Sequence, residues 1–371
     1  MKFEWKTIKC KDIIEFNPKT ILKKGALSKK ISMDNLLPFT KQPAKIEAAR
    51  YAGGSKFINN DTILARITPC LENGKTAYID GLEEGEVAFG STEFIVMRSK
   101  RGLSDPQFVY YLAISPEFRK TAIGSMTGSS GRQRVQLRVL EEMTIKVPSF
   151  EVQQKIGLFL KKIDDKIIIN NKINDNLVQQ AQNIYNELFI VKANPGWQKC
   201  HLSDLITVKY GKDHRKLADG IYPVFGSGGL MRRVERPLYE KESVLIPRKG
   251  SLNNIIYINE PFWSVDTMFY TEMKLPNIAK FIYHFIKRID LASMNTGSAV
   301  PSMTVDILNG IELLKPDNRT LEYFESISNG IYLKIFYNTK ESEKLAELRN
   351  LLLTKLISGE LDISEIQFPE N

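Results

Sequence analysis

The longest amphipathic pattern in the chain runs from Ser149 to Ile190. Its apolar positions recur at alternating steps of four and three residues, which predicts one long helix with a heptad seam. Such a helix cannot bury its apolar stripe alone, and it therefore requires a partner helix. The seam positions are Ile156, Leu160, Ile163, Ile167, Asn170, Asn174, Leu177, Ala181, Ile184 and Leu188.

A second helical pattern with the same spacing lies 168 residues further along the chain. Asp317 corresponds there to Ser149, so each helix begins with an N-cap residue type that follows a proline. The match is weakest at Arg349, and we expect the neighbouring Leu348 to take that seam position. The polar residues predicted at the centre of the helix pair are Asn170, Asn174, Asn338 and Ser342.

Similarity between the two halves extends into the segments that precede each helix. Trp5 and Asp12 match Trp197 and Asp204 at an offset of 192 residues, and the tripeptide at 127–129 recurs at 296–298. A long internal repeat decides the architecture before any local pattern does. We predict an α+β protein with two mixed α/β globular domains and a pseudo-twofold internal repeat. Two long helices, forming an antiparallel coiled coil, separate these domains. The predicted ranges are 1–148, 149–192, 193–316 and 317–371.

Local patterns inside the two globular domains predict short strands and one clear helix in each. The predicted strands are 62–67, 75–79, 86–89, 93–97 and 143–147 in the first domain and 243–247, 254–258, 267–273 and 311–314 in the second. The predicted helices are 106–113 and 278–289. Residues 21–60 and 124–138 are polar and basic and are predicted to be loops, while 210–216 and 225–233 are glycine-rich and basic.

The net charge of +9 is distributed unevenly. Residues 1–150 contain 24 Lys and Arg against 16 Asp and Glu, and residues 192–316 contain 17 against 12, whereas the predicted helices are neutral or acidic. Two basic globules on a non-basic helix pair suggest a polyanion held at two places. An ordinary solvated basic surface would give a similar balance.

Motifs that would indicate catalysis, metal binding or a membrane span are missing from the sequence. Gly74-Lys75-Thr76 lacks the first glycine of a phosphate-binding loop, because position 69 is a proline, and a hairpin turn explains it better. The three histidines and three cysteines are scattered, without ligand or triad spacing. The cysteine usage suits a reducing cytoplasm, and we expect no signal peptide or membrane span. Acidic pairs such as Asp164-Asp165 are expected on solvated helix faces.

The layout as a whole resembles the specificity subunit of type I restriction–modification systems. The resemblance rests on the order of its motifs, which covers nearly the whole chain: Asp61-Thr-Ile-Leu-Ala-Arg66, Asn73-Gly-Lys-Thr-Ala77, Ser91-Thr-Glu-Phe94, the two Thr-Gly-Ser tripeptides and the ending Leu351–Leu361. It implies two target recognition domains, each reading one half of a bipartite site in double-stranded DNA. It also implies helices that set the spacing and dock two modification subunits, with restriction subunits joining the assembly. The methyl donor S-adenosylmethionine and the catalysis would then belong to the partners.

The candidate DNA contacts are basic or amide side chains near glycine-rich turns, because Arg pairs with guanine, Asn with adenine and Lys with phosphate. For each one, an exposed side chain without a role is an equal alternative, and the Thr-Gly-Ser loops could equally be turns that only close the fold. A non-catalytic coiled-coil scaffold that binds proteins or another polyanion is the alternative function. The candidates are Lys56, Arg66, Lys75, Thr127, Gly128, Ser129, Arg132, Arg134, Arg138, Lys212, Arg215, Arg232, Arg233, Arg248, Lys249, Asn253, Asn254, Thr296, Gly297 and Ser298.

Overall fold

The fold was analysed in a computed structural model, which describes residues 5–294 and 301–363. The chain divides into two compact units: unit 1 is Met1–Asn170 with Thr339–Asn371, and unit 2 is Asn171–Asn338. Each unit therefore combines one globular region with one half of each long helix.

The globular region of unit 1 alternates short strands with short helices. Asp105 caps α2 by accepting a hydrogen bond from the Phe108 amide at 2.9 Å, and a proline follows at the first helical position. The elements are β1 (Lys6–Lys9), α1 (Cys10–Ile13), β2 (Ile14–Phe16), β3 (Leu27–Ile31), β4 (Glu47–Arg50), β5 (Lys56–Phe57), β6 (Thr62–Ala65), β7 (Thr76–Tyr78), β8 (Ala88–Gly90), β9 (Phe94–Ser99), α2 (Pro106–Ile114), α3 (Pro116–Gly124), α4 (Leu137–Glu142) and β10 (Thr144–Val147).

These strands of unit 1 form two four-stranded sheets and one antiparallel pair. The first sheet has the order β2-β9-β6-β7, the second has the order β4-β3-β8-β5, and β1 pairs with β10. In the second sheet, β3 runs parallel to β8. Helix α2 contributes a nearly continuous buried run from Phe108 to Ala113, so it forms the centre of the core rather than an amphipathic surface helix.

The globular region of unit 2 begins after the first long helix, α5 (Phe150–Asn186), and the π-helical turn Glu187–Val191 that follows it. The second long helix, α9 (Asn318–Ser358), comes after this region. The elements between them are β11 (Lys199–His201), α6 (Leu202–Leu205), β12 (Ile206–Tyr210), β13 (Asp219–Gly226), β14 (Gly229–Val234), β15 (Ser243–Pro247), β16 (Ile256–Ile258), β17 (Trp263–Ser264), β18 (Met268–Met273), α7 (Ala279–Lys287), α8 (Val305–Asn309) and β19 (Glu312–Leu314).

Unit 2 repeats the topology of unit 1 strand for strand, apart from β5. Its sheets have the orders β12-β18-β15-β16 and β14-β13-β17, and β11 pairs with β19. The parallel pairing of β13 with β17 corresponds to that of β3 with β8. The predicted internal repeat and the α+β class are therefore confirmed.

Two segments without predicted strands contain antiparallel hairpins instead. Residues 21–60, predicted to be a loop, contain β3 and β4, and the glycine-rich segment 225–233 holds the end of β13 and all but the last residue of β14. The β3 strand reads Leu-Ser-Lys-Lys-Ile, with only its last residue fully buried. Because both hairpins are largely solvated, their sequences lack the alternation of apolar and polar residues that identifies a half-buried strand.

The half-helices pack antiparallel within each unit. In unit 1, Asp164 contacts Arg349 and Asn170 contacts Glu341, so the position on one helix rises as the other falls. In unit 2, Asn174 contacts Asn338 and the Tyr185 ring packs edge-on against Phe324. These contacts agree with the predicted antiparallel pairing.

Two predictions about the helix seam in unit 1 are wrong. Leu348 is 45% exposed and does not enter the seam, whereas Arg349 is buried. Asp164, predicted to lie on a solvated face, is also buried, and its carboxylate lies 2.6 Å from the Arg349 guanidinium. The ion pair explains both errors, because a buried charge is tolerated when an opposite charge and hydrogen bonds satisfy it.

Candidate nucleic-acid interface

Arg66 follows β6 in unit 1 and is fixed by two backbone hydrogen bonds. Its amide donates to the Glu93 carbonyl at 2.9 Å, and its carbonyl accepts from the Val135 amide at 2.9 Å. The side chain is half-buried, and its Nε is buried without a hydrogen-bond partner among the described residues. Arg66 therefore joins the start of β9 to the segment that carries the Thr-Gly-Ser tripeptide.

The Thr127-Gly128-Ser129 tripeptide lies on an exposed hairpin loop within the predicted loop 124–138. Thr127 and Arg134 form an antiparallel bridge, and the Arg132 amide donates to the Ser129 carbonyl at 3.0 Å. Gly128 has a φ of 130°, a conformation that favours glycine. The loop is a hydrogen-bonded turn with an exposed backbone, which is compatible both with a DNA contact and with a turn that only closes the fold.

Arg134 is occupied by an acidic neighbour. Its guanidinium makes a two-pronged contact with the Glu93 carboxylate, with the shortest distance at 2.7 Å. The hydrogen bond from Arg134 to Glu93 raises the pKa of the arginine. Since Arg134 is exposed, this pair could still exchange with another anion.

The other candidate residues of unit 1 differ in how far their side chains are available to contact DNA. Lys75 donates from Nζ to the Met33 carbonyl at 3.0 Å, so its charge supports the fold. Lys56 is half-buried, with Nζ 5.9 Å from the centre of the Tyr51 ring. Arg132 and Arg138 are exposed, the first on the hairpin loop and the second on α4.

Arg248 follows β15 in unit 2 and lies on an aromatic surface. Its guanidinium carbon is 5.2 Å from the centre of the Tyr210 ring, and Nη1 donates to the Asp266 carbonyl at 3.3 Å. Its amide donates to the Thr267 carbonyl at 2.9 Å, and its carbonyl accepts from the Met303 amide at 2.8 Å. Planar guanidinium groups stack on aromatic rings in this way while their edges stay available.

The segment after Arg248 extends the basic surface towards the β13–β14 turn. Lys249 is exposed, and it forms a bridge with Ser302 through the backbone. The Asn254 side chain donates to the Ser227 carbonyl at 2.9 Å, which ties this segment to the hairpin turn. The Asn253 side chain donates to Asp290 at 3.0 Å. Both amides thus have partners within the protein.

The remaining candidates of unit 2 lie around the β13–β14 hairpin and the segment before it. Lys212 is exposed, and its amide donates to the Ser264 carbonyl at 2.8 Å. Arg215 is exposed and pairs with Asp213 at 2.8 Å, which holds the pKa of that carboxyl well below its usual range. Arg232 and Arg233 donate to the carbonyls of Leu217 and Ile221 respectively. The tripeptide Thr296-Gly297-Ser298 lies outside the described residues.

Sequence reasoning missed the residues that hold the arginines in place. Glu93, whose carboxylate binds Arg134, and Asp266, whose carbonyl accepts from Arg248, lie in the turns that precede β9 and β18 respectively. The turns are visible in the sequence, but the arginine partners lie far along the chain and leave no local signal. Tyr210 carried no signal, because nothing in the sequence places it beside Arg248.

The polar residues predicted at the centre of the helix pair meet across the half-helices. In unit 1, the Asn170 side chain donates to Glu341 at 2.7 Å and to Ser342 at 3.3 Å. In unit 2, the Asn338 side chain donates to the Asn174 side-chain oxygen at 2.9 Å. Polar contacts of this kind favour one register of a helix pair over others.

Across residues 5–294 and 301–363, no group of three or more His, Cys, Asp or Glu side chains is placed to hold a metal ion. In the same ranges, no helix has the length and apolar character that a membrane crossing needs.

Comparison with known proteins finds one family across most of the chain. The family described as "Type I restriction modification DNA specificity domain" matches residues 2–179 and 194–346. The two matched segments cover both globular regions and most of both long helices.

Individual relatives agree with this family match. The chain is 36% identical over 104 residues to the type I restriction enzyme EcoAI specificity subunit of Escherichia coli, a match that covers 28% of this chain and 18% of that subunit. It is 21% identical to the HindI specificity subunit of Haemophilus influenzae, over 81% of this chain and 86% of that protein. The crystal structure of the type I restriction–modification S subunit from M. genitalium has a TM-score of 0.53 at 18% identity and covers 96% of each chain, which shows a shared fold.

Proposed function

Because the chain belongs to the family of type I restriction–modification DNA specificity domains, we propose that it is the DNA-recognition subunit of such a complex. In this role each unit reads one half of a bipartite site in double-stranded DNA. The chain contributes recognition, and the chemistry belongs to its partners.

The duplicated topology is the observation that supports this proposal best. Two units with equivalent sheets carry different side chains at equivalent places: Ile67 follows Arg66 after β6 in unit 1, whereas the cationic Lys249 follows Arg248 after β15 in unit 2. Sequence is read by the side chains that reach base edges, so two different surfaces read two different half-sites. The target is therefore asymmetric.

The outer faces of the half-helices support the docking of partner proteins. Leu158, Leu348 and Leu351 are at least 40% exposed in unit 1, and Leu333 and Tyr337 are similarly exposed in unit 2. Exposed apolar side chains along a helix mark protein interaction surfaces. We assign these faces to two modification subunits, which carry S-adenosylmethionine, and we assign the spacing of the half-sites to the length of the helices. Restriction subunits join this complex.

A binding selection tests the proposal directly. The chain, purified together with the modification subunit of the same system, is incubated with a randomised DNA library at several salt concentrations. We expect recovery of one bipartite sequence, steep loss of affinity with salt, and methylation by the complex but not by the chain alone. Recovery of DNA without any sequence preference would support the scaffold alternative instead.

A further inference from the structure

Arg66 and Arg248 occupy the same position in the duplicated fold. Each directly follows the third strand of its four-stranded sheet, β6 in unit 1 and β15 in unit 2. Each amide donates to the carbonyl of the residue directly before the neighbouring strand, Glu93 before β9 and Thr267 before β18, and each carbonyl accepts from an amide, of Val135 and Met303. Val135 and Met303 are themselves related by the 168-residue offset of the repeat. Arg66 and Arg248 therefore occupy equivalent positions in the two repeats of the fold.

Both arginines are anchored while their guanidinium groups remain available. Arg66 is half-buried, and its Nε is buried without a hydrogen-bond partner among the described residues, so the donors left for a ligand are those of its two Nη groups. Arg248 lies over Tyr210, which is 54% exposed, and within residues 5–294 and 301–363 its side chain makes one hydrogen bond, from Nη1 to the Asp266 carbonyl. An arginine offers five donors in a fixed plane, so both side chains retain donors for a ligand.

Acidic neighbours indicate the kind of ligand group. In unit 1, the Glu93 carbonyl accepts from the Arg66 amide while its carboxylate is paired with Arg134; in unit 2, Asp266 is exposed and its carbonyl accepts from Arg248. The exposed Asp266 carboxylate disfavours a phosphate at Arg248, because like charges repel, but it tolerates the neutral edge of a base, and the equivalence of the two positions extends this to Arg66. The base edge that offers an arginine two acceptors in the correct plane is guanine, through O6 and N7.

We propose that Arg66 and Arg248 are equivalent specificity-determining residues, each of which binds a guanine in the half-site read by its own unit. Tyr210 is a positioning residue for Arg248, because it supports the plane of the guanidinium without reaching the base. This inference rests on the proposed DNA-recognition function, and it adds that the repeat preserves one arginine–guanine contact within two otherwise different half-sites.

The experiment compares the recognised sequences of variant complexes, each assembled with the modification subunit. Arg66→Ala and Arg66→Lys should relax one guanine position in one half-site only, with discrimination falling about 5- to 150-fold. Arg248→Ala and Arg248→Lys should do the same in the other half-site. The lysine variants keep the charge but lose the two-pronged geometry, so discrimination should fall while the salt dependence stays unchanged. Tyr210→Leu should weaken discrimination at the Arg248 position to a smaller extent.

Matched control variants distinguish a lost base contact from a general effect of mutation, and thermal unfolding shows whether each variant is folded. Arg101→Ala in unit 1 and Arg319→Ala in unit 2 remove an exposed charge elsewhere and should leave both half-sites unchanged. A uniform loss of affinity for all sequences, rescued by lysine, would overturn the proposal in favour of a phosphate contact. Unchanged discrimination in folded variants would also overturn it. If the wild-type complex showed no sequence preference, the proposed function itself would fail.

Discussion

The two units place a buried polar group at the same point of their short central helices, but they satisfy it in opposite ways. Tyr111 of α2 in unit 1 and His284 of α7 in unit 2 are equivalent, since both helices occupy the same place in the repeat. The Tyr111 hydroxyl donates to Asp164 at 2.5 Å, and Asp164 also accepts from Arg349 at 2.6 Å. Unit 1 therefore uses a buried ion pair.

Unit 2 uses neutral hydrogen bonds at the same point. His284 Nδ1 lies 2.8 Å from the Gln182 side-chain oxygen, and Nε2 lies 2.7 Å from the Tyr332 hydroxyl. The glutamine oxygen can only accept, so Nδ1 carries the proton and Nε2 accepts from the tyrosine. Burial, with the nearby Lys287 charge, lowers the pKa of His284 to about 3. The imidazole thus stays neutral over the ordinary pH range.

The difference shows what the repeat preserves and what it leaves free. The preserved feature is a polar link between a central helix and the facing long helices, and Tyr332 of unit 2 is the 168-residue counterpart of Asp164 in unit 1. The ion pair between the two long helices is not preserved, because the counterpart of Arg349 is Ala181. A buried ion pair is satisfied only when its two helix segments meet in one register, so unit 1 gains a charged constraint on the pairing of its long half-helices, whereas in unit 2 the buried Lys280 of α7 pairs with Glu325 of α9.

The largest expected effect comes from breaking the ion pair. Arg349→Ala removes the direct ionic partner of the buried Asp164 carboxylate and leaves only the more distant charge of Lys41, which donates to Tyr111, and we expect the free energy of unfolding of unit 1 to fall by about 3–5 kcal/mol. Urea unfolding followed by hydrogen exchange in α2 and α7 reports the two units separately. Protection of α2 should fall while that of α7 is retained.

Two further variants test whether the buried charge causes this loss. Arg319→Ala removes an exposed arginine from the same helix and should leave both units unchanged. The double variant Asp164→Leu/Arg349→Met replaces the pair with apolar side chains and should recover most of the stability. If the double variant were as unstable as Arg349→Ala, the unpaired charge would not be the cause.

A smaller effect is expected from acid, and it should appear in unit 2. The unfolded chain protonates His284 near its ordinary pKa of 6.5, whereas the folded unit does so only near 3. Between these values the unfolded state binds the extra proton, so stability falls as the pH falls through this window. At pH 4.5, two units below the ordinary pKa, the loss is about 3 kcal/mol.

The control for the acid effect is His284→Gln, which keeps a polar side chain but does not titrate. This variant should be less stable at pH 7, because its geometry differs from that of imidazole. Its stability should nevertheless change less between pH 6.5 and 4.5 than that of the wild type, as measured by α7 hydrogen exchange. Equal slopes for both proteins would assign the acid sensitivity to other groups.

The sequence predicted the features of the fold that depend on periodicity and repetition. The heptad pattern identified both long helices, and the offset of 168 residues identified the repeat counterpart of each polar seam position, although the contacts themselves join Asn170 to Ser342 and Asn338 to Asn174. It could not predict that Arg349 enters the seam, because a charged residue at a buried position is explained only by its partner across the pair, Asp164, 185 residues away.

The candidate interface was harder to predict than the fold. Every basic residue near a glycine-rich turn qualified as a candidate, but only contacts show that Lys75 supports the fold through Met33 and that Arg248 lies on Tyr210. Long-range contacts of this kind leave no local pattern. The equivalence of Arg66 and Arg248 also required the backbone hydrogen bonds, since the offset between them differs from that of the helices.

The smallest expected effect comes from replacing the polar residue at the centre of each half-helix pair. Asn170 in unit 1 has a side-chain oxygen that is buried without a partner, whereas the Asn338 side chain in unit 2 donates to Asn174 at 2.9 Å. Replacing Asn170 with leucine removes an unsatisfied group together with its hydrogen bonds to Glu341 and Ser342, so we expect a change within about 1 kcal/mol in the stabilising direction. Asn338→Leu removes a satisfied hydrogen bond and should destabilise unit 2 by about 1 kcal/mol. Urea unfolding resolved by hydrogen exchange measures both, and equal destabilisation of the two units would show that the buried oxygen of Asn170 carries no cost.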